Sequence, residues 1–437
     1  MENLNKNVFI VGLDEYNSKE LQSIENADQY SFIPLFRADE VKLVLNGGTI
    51  DYEDLIKQAK EKLDNFEGSI DGIIGFFDPV MLLTHHLCEE YGLYGPTLKS
   101  GLRCEHKYWS RLEQKKASPE NIPPFTFLDP FIDHKLEDIE IKPPFWLKPV
   151  KSYGGQLGFK IKDQKDLDAS LKKMRKGIKN FAEPFNYLLS LADLPEEIKK
   201  IDGYHCIAEG IISGYQCTVE GYVYEGEVHT HGFFDSVLYD DTSSFFAYIT
   251  PSRLPEPIQD RMATITEKVM KQIQLNNSTF NIEYYYDEQK DQIWLLEINT
   301  RISQSHSDPF FKVYGRSNHQ FMVKVATGLE PNPVEKNGKY NIAGKIHHRV
   351  FFSEGIIKHI PSEDEIKEIE EEFDCMIFLE GNQGQQLSEL PGQDSYSYRL
   401  ANIYVGAQSE RELLEKYDLI VGRLAIVVEE TDVKIES

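Results

Sequence analysis

Residues 280–301, FNIEYYYDEQKDQIWLLEINTR, constrain this chain more than any other stretch. Phe280, Ile282, Tyr284 and Tyr286 alternate with Asn281, Glu283 and Tyr285, the period of a β-strand. A turn without apolar residues, DEQKDQ, leads into a return strand. Strict alternation would put Ile293, Leu295, Glu297 and Asn299 on one face and Trp294, Leu296 and Ile298 on the other. Glu297 and Asn299 then project together, and Glu283 comes beside them across an antiparallel hairpin. Hard oxygen ligands of this kind, next to Arg301, suit a Mg²⁺ ion shared with phosphate oxygens. An exposed hairpin with solvated acids is the plainer alternative. A carboxylate set among the bulky apolar residues of IWLLEIN does not fit it well.

At 437 residues the chain has room for two or three domains with ample core. The formal net charge is −25, from 47 basic and 72 acidic residues, which argues against a duplex nucleic-acid partner or an anionic membrane surface. An anionic small ligand would need local basic contacts. The five cysteines, Cys88, Cys104, Cys206, Cys217 and Cys375, are scattered without CxxC spacing, as expected of reduced thiols. The N-terminal residues lack a basic stretch followed by an apolar run, and no segment approaches membrane-spanning length. The expectation is a soluble cytoplasmic protein without a membrane partner.

In chain order, residues 7–13 and 72–77 read as buried parallel strands, each followed by a helix (19–24 and 79–91), which implies an α/β domain. No G-x-G-x-x-G follows the first strand, so a dinucleotide site there is unsupported. A helix containing HKYWSRLEQKKA carries Lys107 at its start. In PPFWLKPVKSYGGQLGFK an apolar strand delivers Lys148 to a loop with Ser152, Gly154, Gly155 and Gly158, where backbone N–H groups can approach phosphate oxygens. Lys151 either aids that loop or merely flanks it. Residues 162–200 read as charged and mostly helical, with a break near Pro184; 206–224 read as two strands about Ser213 and Gly214. Helices are expected over 262–274 and 321–328, and the proline-containing run EPNPVEKNGK reads as a linker.

Lysine, second lysine in a strand, glycine loop, acidic hinge and Glu…Glu-x-Asn-x-Arg, in that order, resemble the ATP-grasp superfamily. The arrangement is the three-domain one of biotin carboxylase, the purine-pathway carboxylases and many amino-acid ligases. The resemblance spans residues 8–328 firmly and the last hundred loosely. It implies an α/β protein, α+β in its core: an N-terminal Rossmann-like parallel-sheet domain over 1–104, an ATP-grasp core over 105–332 with a mobile lid at about 143–215, and a small α+β domain over 333–437. It implies ATP with Mg²⁺ or Mn²⁺ as cofactors. Lys107 and Lys148 would meet the phosphates, under a loop carrying Ser152, Gly154 and Gly155. Glu209, Gly210 and Ile212 would form the hinge along the adenine. Glu283 and Glu297 would hold the metal with Asn299, and Arg301 would stabilise charge at the reacting centre. Partners would be a small-molecule carboxylate and an amine. The last hundred residues would pack beside the acceptor site or form a homodimer surface.

Two departures narrow the resemblance. Gln216 stands where the family often has a glutamate on the ribose hydroxyls; its amide can still bond a hydroxyl, and Glu220 further along is a substitute. EINTRISQSH is similar to the biotin carboxylase stretch whose glutamate deprotonates bicarbonate, but Ser305 takes that place and cannot act as a base at neutral pH. The sequence therefore favours an ADP-forming carboxylate–amine ligase on amino-acid-like substrates. A bicarbonate-using carboxylase and a non-catalytic ATP-binding module remain as alternatives. His306 and Arg316 are candidate substrate contacts, each with an ordinary structural role as its alternative. His229 and His231 share a strand face with no third ligand nearby and read as a sheet pair.

Overall fold

A computed structural model of the chain describes residues 5–41, 49–351, 354–393 and 397–431. Residues 1–4 of the N-terminal stretch read above, and the last residues of the expected C-terminal domain, lie outside them. The described part begins with three parallel strands, β1 (Lys6–Leu13), β2 (Tyr30–Arg37) and β3 (Gly72–Gly75), in the order β2-β1-β3. Helices Glu15–Ser23, Tyr52–Asp64 and Asp78–Glu90 connect and cover them. β2, which contains Pro34, is not among the strands expected from the sequence. β2 lies at the sheet edge, where a missing N–H is tolerated.

An antiparallel sheet of four strands follows: β4 (Phe125–Leu128), β5 (Phe145–Pro149), β6 (Phe159–Ile161) and β7 (Cys206–Gly210), in the order β4-β7-β5-β6. Helices Gln164–Gly177 and Lys179–Ser190 are inserted between β6 and β7. The helical break comes at the buried Ile178; Pro184 sits inside the second helix. A single proline removes one intrahelical bond, which the burial of Phe181, Phe185, Leu188 and Leu189 on one face offsets.

The central sheet has eight strands: β8 (Tyr215–Tyr224), β9 (Glu227–Leu238), β10 (Phe245–Thr250), β11 (Ser278–Asp287), β12 (Gln292–Asn299), β13 (Ile342–Val350), β15 (Cys375–Leu379) and β16 (Tyr398–Ala407). Its order is β12-β11-β8-β9-β10-β13-β16-β15, all antiparallel, so the C-terminal strands extend the sheet that carries the opening hairpin. Two short strands, β14 (Gly355–His359) and β17 (Val427–Glu430), pair separately. The helix Glu256–Ile273 buries Met262, Val269 and Ile273 against Phe280, Ile282 and Tyr284 of β11.

The hairpin departs from strict alternation at one place. Glu283 pairs with Glu297, but Tyr284 pairs with Leu295, so Leu296 is an extra residue in β12. Ile293, Leu295 and Ile298 all enter the same core cluster, while Leu296, Glu297 and Asn299 line a cleft. The expected grouping of Ile293 and Leu295 with Glu297 and Asn299 is thereby corrected. A β-bulge shifts the period by one, keeps the apolar residues inside and turns both polar ones outward.

A buried carboxylate ties the central sheet to the helices after it. Glu220 of β8 accepts from Asn281 Nδ2 (3.0 Å), the Ser303 N–H (3.1 Å), His306 Nδ1 (2.8 Å) and Asn318 Nδ2 (2.9 Å). Replacing Glu220 by Ala removes the shared acceptor of four donors, of which Asn281, His306 and Asn318 are buried. Urea denaturation is expected to show a loss of about 3 kcal/mol or more, the scale seen when one partner of a buried ionic network is removed.

Candidate active site

A cleft of about 400 Å³ opens between the bulged hairpin, the β5–β7 sheet and the start of the helix Asp78–Glu90. Lys107, Lys148, Ser152, Gly154, Gly155, Glu283, Glu297, Asn299 and Arg301 all line it, although they are up to two hundred residues apart in sequence. Each is delivered by a distinct local device. His106 caps the helix Lys107–Ala117 by accepting from the Trp109 N–H, which puts Lys107 in the first turn. Its backbone N–H donates to Val150 (2.8 Å), and its ammonium reaches the Ser152 carbonyl (3.2 Å) and Glu297 Oε1 (2.8 Å). Gly154 and Gly155 have φ of +56° and +72°, the left-handed region, with open space where a Cβ would stand.

The charges alternate across the cleft. Lys148 Nζ lies 2.6 Å from Glu209 Oε2, and Arg111 Nε donates to Glu209 Oε1 at 2.5 Å. Burial alone would raise the Glu209 carboxyl, but Arg111 and Lys148 outweigh it and hold it down at about 2. Glu297 behaves alike: burial opposes ionisation, and Lys107 and Lys148 bring it down to about 2. Glu283, directly across the strand pair, is pushed up to about 7 by burial and then by repulsion from Glu297. Two facing carboxylates that resist joint ionisation, with Asn299 beside them, are a donor set that could hold a divalent cation together with phosphate oxygens. Among the described residues no three His, Cys, Asp or Glu side chains gather as a metal cluster. The donor set is two carboxylates and an amide, a set that suits Mg²⁺ with nucleotide.

The hinge residues lie where the two antiparallel sheets meet. Gly210 closes β7 and donates to the Pro124 carbonyl (2.8 Å), and Ile212 is half-buried in the turn before β8. Gln216 donates to Glu283 Oε2 (3.2 Å) and accepts from the Tyr285 hydroxyl (2.8 Å). Glu220 is fully buried in its own network and does not line the cleft. His306 stands away from it too, bonded to Glu220 and stacked on Phe234 at 3.9 Å. Arg316 follows the left-handed Gly315 and donates to the Pro333 carbonyl (3.3 Å), outside the cleft. His231 and His229 stack on Phe321 (4.2 Å) and Tyr222 (4.8 Å) within the sheet face.

Three residues in or behind the cleft were not read as site residues. Asp78 holds Arg301 in a two-point ion pair (2.7 and 3.1 Å). Glu105 is buried against Lys151, which the sequence left undecided and the structure turns into the cleft. Arg111 lies behind it and donates to Glu209, to Gln114 and to the carbonyls of Leu295 (2.9 Å) and Leu296 (2.7 Å). One signal was available: Arg111 is four residues after Lys107 and so shares its helix face. Asp78 and Glu105 carry no comparable signal, because their partners are distant in sequence.

Residues 141–307 match a family of ATP-grasp domains. No curated protein sequence matches the chain. Solved structures with the same fold include an L-amino acid ligase from Bacillus licheniformis, at 15% identity and a TM-score of 0.68, covering 98% of this chain and 99% of that one. Phosphoribosylglycinamide synthetase from Anaerococcus prevotii aligns at 16% identity and a TM-score of 0.63, over 97% and 100% of the two chains. The biotin carboxylase domain of 2-oxoglutarate carboxylase from Hydrogenobacter thermophilus, solved as a dimer with MgADP, ADP and bicarbonate, aligns at 15% identity and a TM-score of 0.62, over 98% and 91%.

Replacing Arg111 by Met removes the first-ranked counter-charge of Glu209 and the clamp on the bulge. It is expected to cost about 3 kcal/mol at neutral pH, as for other broken buried pairs. The folded Glu209 is depressed, so its stabilisation is present above the unfolded value of about 4.3 and is lost as pH falls toward 2. In the variant that carboxyl rises, and acid unfolding followed by circular dichroism should begin at higher pH than in the parent. Residues 141–307 thus match an ATP-grasp domain, within a fold shared with an L-amino acid ligase and a phosphoribosylglycinamide synthetase.

Proposed function

We propose that this protein is an ATP-dependent, ADP-forming carboxylate–amine ligase that works through an acyl phosphate on amino-acid-like substrates. The observation that carries the reading is the convergence of Lys107, Lys148, the glycine loop, the facing Glu283 and Glu297, and Arg301 on one cleft. Phosphoryl transfer needs positioning and charge neutralisation more than covalent help, and this set supplies both. Lys107 and Lys148 would bind phosphate oxygens, giving up part of their present contact with Glu297 and Glu209. The N–H groups of the Ser152–Gly155 loop would close over them. The backbone of Glu209, Gly210 and Ile212 would run along the base, with Gln216 at the ribose side. Glu283, Glu297 and Asn299 would hold Mg²⁺, which supplies charge neutralisation at the phosphate oxygens.

In the first half-reaction a carboxylate oxygen of the acid attacks the γ-phosphorus. The bond from that phosphorus to the β,γ-bridging oxygen breaks, and ADP leaves. In the second, the amine lone pair attacks the acyl carbon and phosphate departs, while the nitrogen loses a proton. Arg301 would stabilise the negative oxygen at that carbon, and Asp78 fixes its guanidinium in advance through two hydrogen bonds. Acyl phosphates hydrolyse in water, so closure of the 143–215 segment over the cleft would protect the intermediate. The bicarbonate reading lacks its base: the Ser305 hydroxyl accepts from Lys345 Nζ at 3.0 Å. The Bacillus licheniformis L-amino acid ligase of the same fold is the relative whose named activity agrees best with this reading.

The test is ADP release in Mg²⁺ and ATP across amino acids, singly and in pairs, with bicarbonate in a separate well. ADP that requires an acid together with an amine, and that vanishes in Glu297→Gln, supports the ligase. ADP with bicarbonate alone would replace it with a carboxylase. Arg301→Ala should lower kcat by roughly 10²–10³ while changing ATP affinity only a few-fold, the scale of a lost donor at a developing oxyanion. Equal losses in both would move Arg301 from the reacting centre to the nucleotide.

A further inference from the structure

A second cavity, of about 390 Å³, lies on the other side of the Asp78–Arg301 pair, and both residues line both spaces. It forms where the N-terminal sheet, the loop after Arg301 and strands β13, β15 and β16 meet. Of the residues that line it, the sequence singled out Arg301 and Ser305. Its size is that of a small-molecule site.

The walls are aromatic. The Tyr16 ring meets Phe378 edge-on at 5.9 Å and lies nearly parallel to Tyr404 at 6.4 Å; Phe378 and Tyr404 meet at 5.9 Å. The floor is polar and incompletely paired. Lys345 donates to Ser305 (3.0 Å) and lies over the Tyr404 ring at 5.4 Å, with no carboxylate in ion-pair contact among the described residues. Asn402 is only 6% exposed; its amide donates to Glu380 (2.7 Å), and its carbonyl oxygen has no hydrogen-bond partner among the described residues. A buried acceptor without a donor costs free energy unless a ligand or water supplies one. The groups around the floor are Arg399, Arg349 and Glu380, and burial followed by Arg399 brings the Lys345 ammonium down to about 7. An anion bound there would restore its charge.

We propose that this cavity seats the acid substrate, and that the acid is an aromatic carboxylic acid bearing an N–H or O–H donor, such as an aromatic amino acid. Its carboxylate lies between Lys345 and Arg301, at the junction with the nucleotide cleft. Its donor meets the Asn402 carbonyl oxygen, and its ring packs on Tyr16, Phe378 and Tyr404. The assignment rests on the ligase reading for its chemistry, but the binding site is independent of turnover. Lys345 and Asn402 select the substrate by completing hydrogen bonds that the protein leaves open, a discrimination apolar contacts alone cannot reach.

The experiment is calorimetric binding of L-phenylalanine, 3-phenylpropanoate, phenylethylamine and L-leucine to the full chain, with and without Mg²⁺ and a non-hydrolysable ATP analogue. Phenylalanine should bind at least tenfold more tightly than 3-phenylpropanoate, which lacks the donor, and than leucine, which lacks the ring. Phenylethylamine, which lacks the carboxylate, should not bind. Asn402→Leu should erase the difference between phenylalanine and 3-phenylpropanoate, and Lys345→Met should weaken both acids while leaving analogue binding intact. If the analogue binds and none of the four probes does, or if leucine equals phenylalanine, the cavity assignment is overturned and the nucleotide reading stands. If phenylalanine binds with the expected variant pattern but the analogue does not bind, the site is supported and the ligase reading falls.

Discussion

The arrangement depends on one extra residue. Leu296 interrupts the alternation of β12, so that Ile293, Leu295 and Ile298 stay in the core while Glu297 and Asn299 face the cleft opposite Glu283. A bulge leaves carbonyls out of the ladder, and Arg111 takes those of Leu295 and Leu296 with two of its nitrogens. The same guanidinium bonds Glu209 on the neighbouring sheet. One side chain therefore fixes the bend that aims the carboxylates and the strand whose Glu209 pairs with Lys148. A lysine at this position could not do both, because its single ammonium lacks the planar fork.

Around that bend the charges are ordered as alternating pairs: Arg111 and Lys148 with Glu209, Lys107 with Glu297, Lys151 with Glu105, Arg301 with Asp78. The chain as a whole is strongly acidic, at −25, yet its cleft gathers four cations that an anionic ligand can engage. Pairing each cation with a carboxylate lets them stand close together without mutual repulsion. Glu283 has no ion-pair contact among the described residues, and burial followed by repulsion from Glu297 raises its carboxyl. The proposed divalent cation and polyanion would enter a cleft whose charges are already paired.

The two cavities share a wall made of a single ion pair. Asp78 comes from the first turn of the helix after β3, and Arg301 from the loop after β12. Their bond joins the parallel sheet to the bulged hairpin and marks the boundary between the charged cleft and the aromatic cavity. A group held there touches both spaces, which is the requirement for a reaction between ligands bound in each.

The sequence by itself singled out many of the residues that line the cleft. Lys107, Lys148, the glycine loop, Glu283, Glu297, Asn299 and Arg301 sit on elements whose periodicity and turn residues are local, and the structure brings all of them to one cleft. It also carried the alternating strands and helices of the N-terminal sheet, because buried apolar runs are a short-range signal. Tertiary structure alone decided the rest. The bulge at Leu296 arises from competition between core packing and the ladder, which a two-residue period cannot express. His306 and Glu220 were turned inward by each other and by Asn281 and Asn318, partners on other elements. Asp78, Glu105 and Arg111 gain their roles from contacts 46 to 223 residues distant. Lys345, Asn402 and Tyr16 become one cavity because the C-terminal strands continue the central sheet past the N-terminal helix. That placement is a matter of which surfaces bury each other when the chain folds, and no local pattern encodes it.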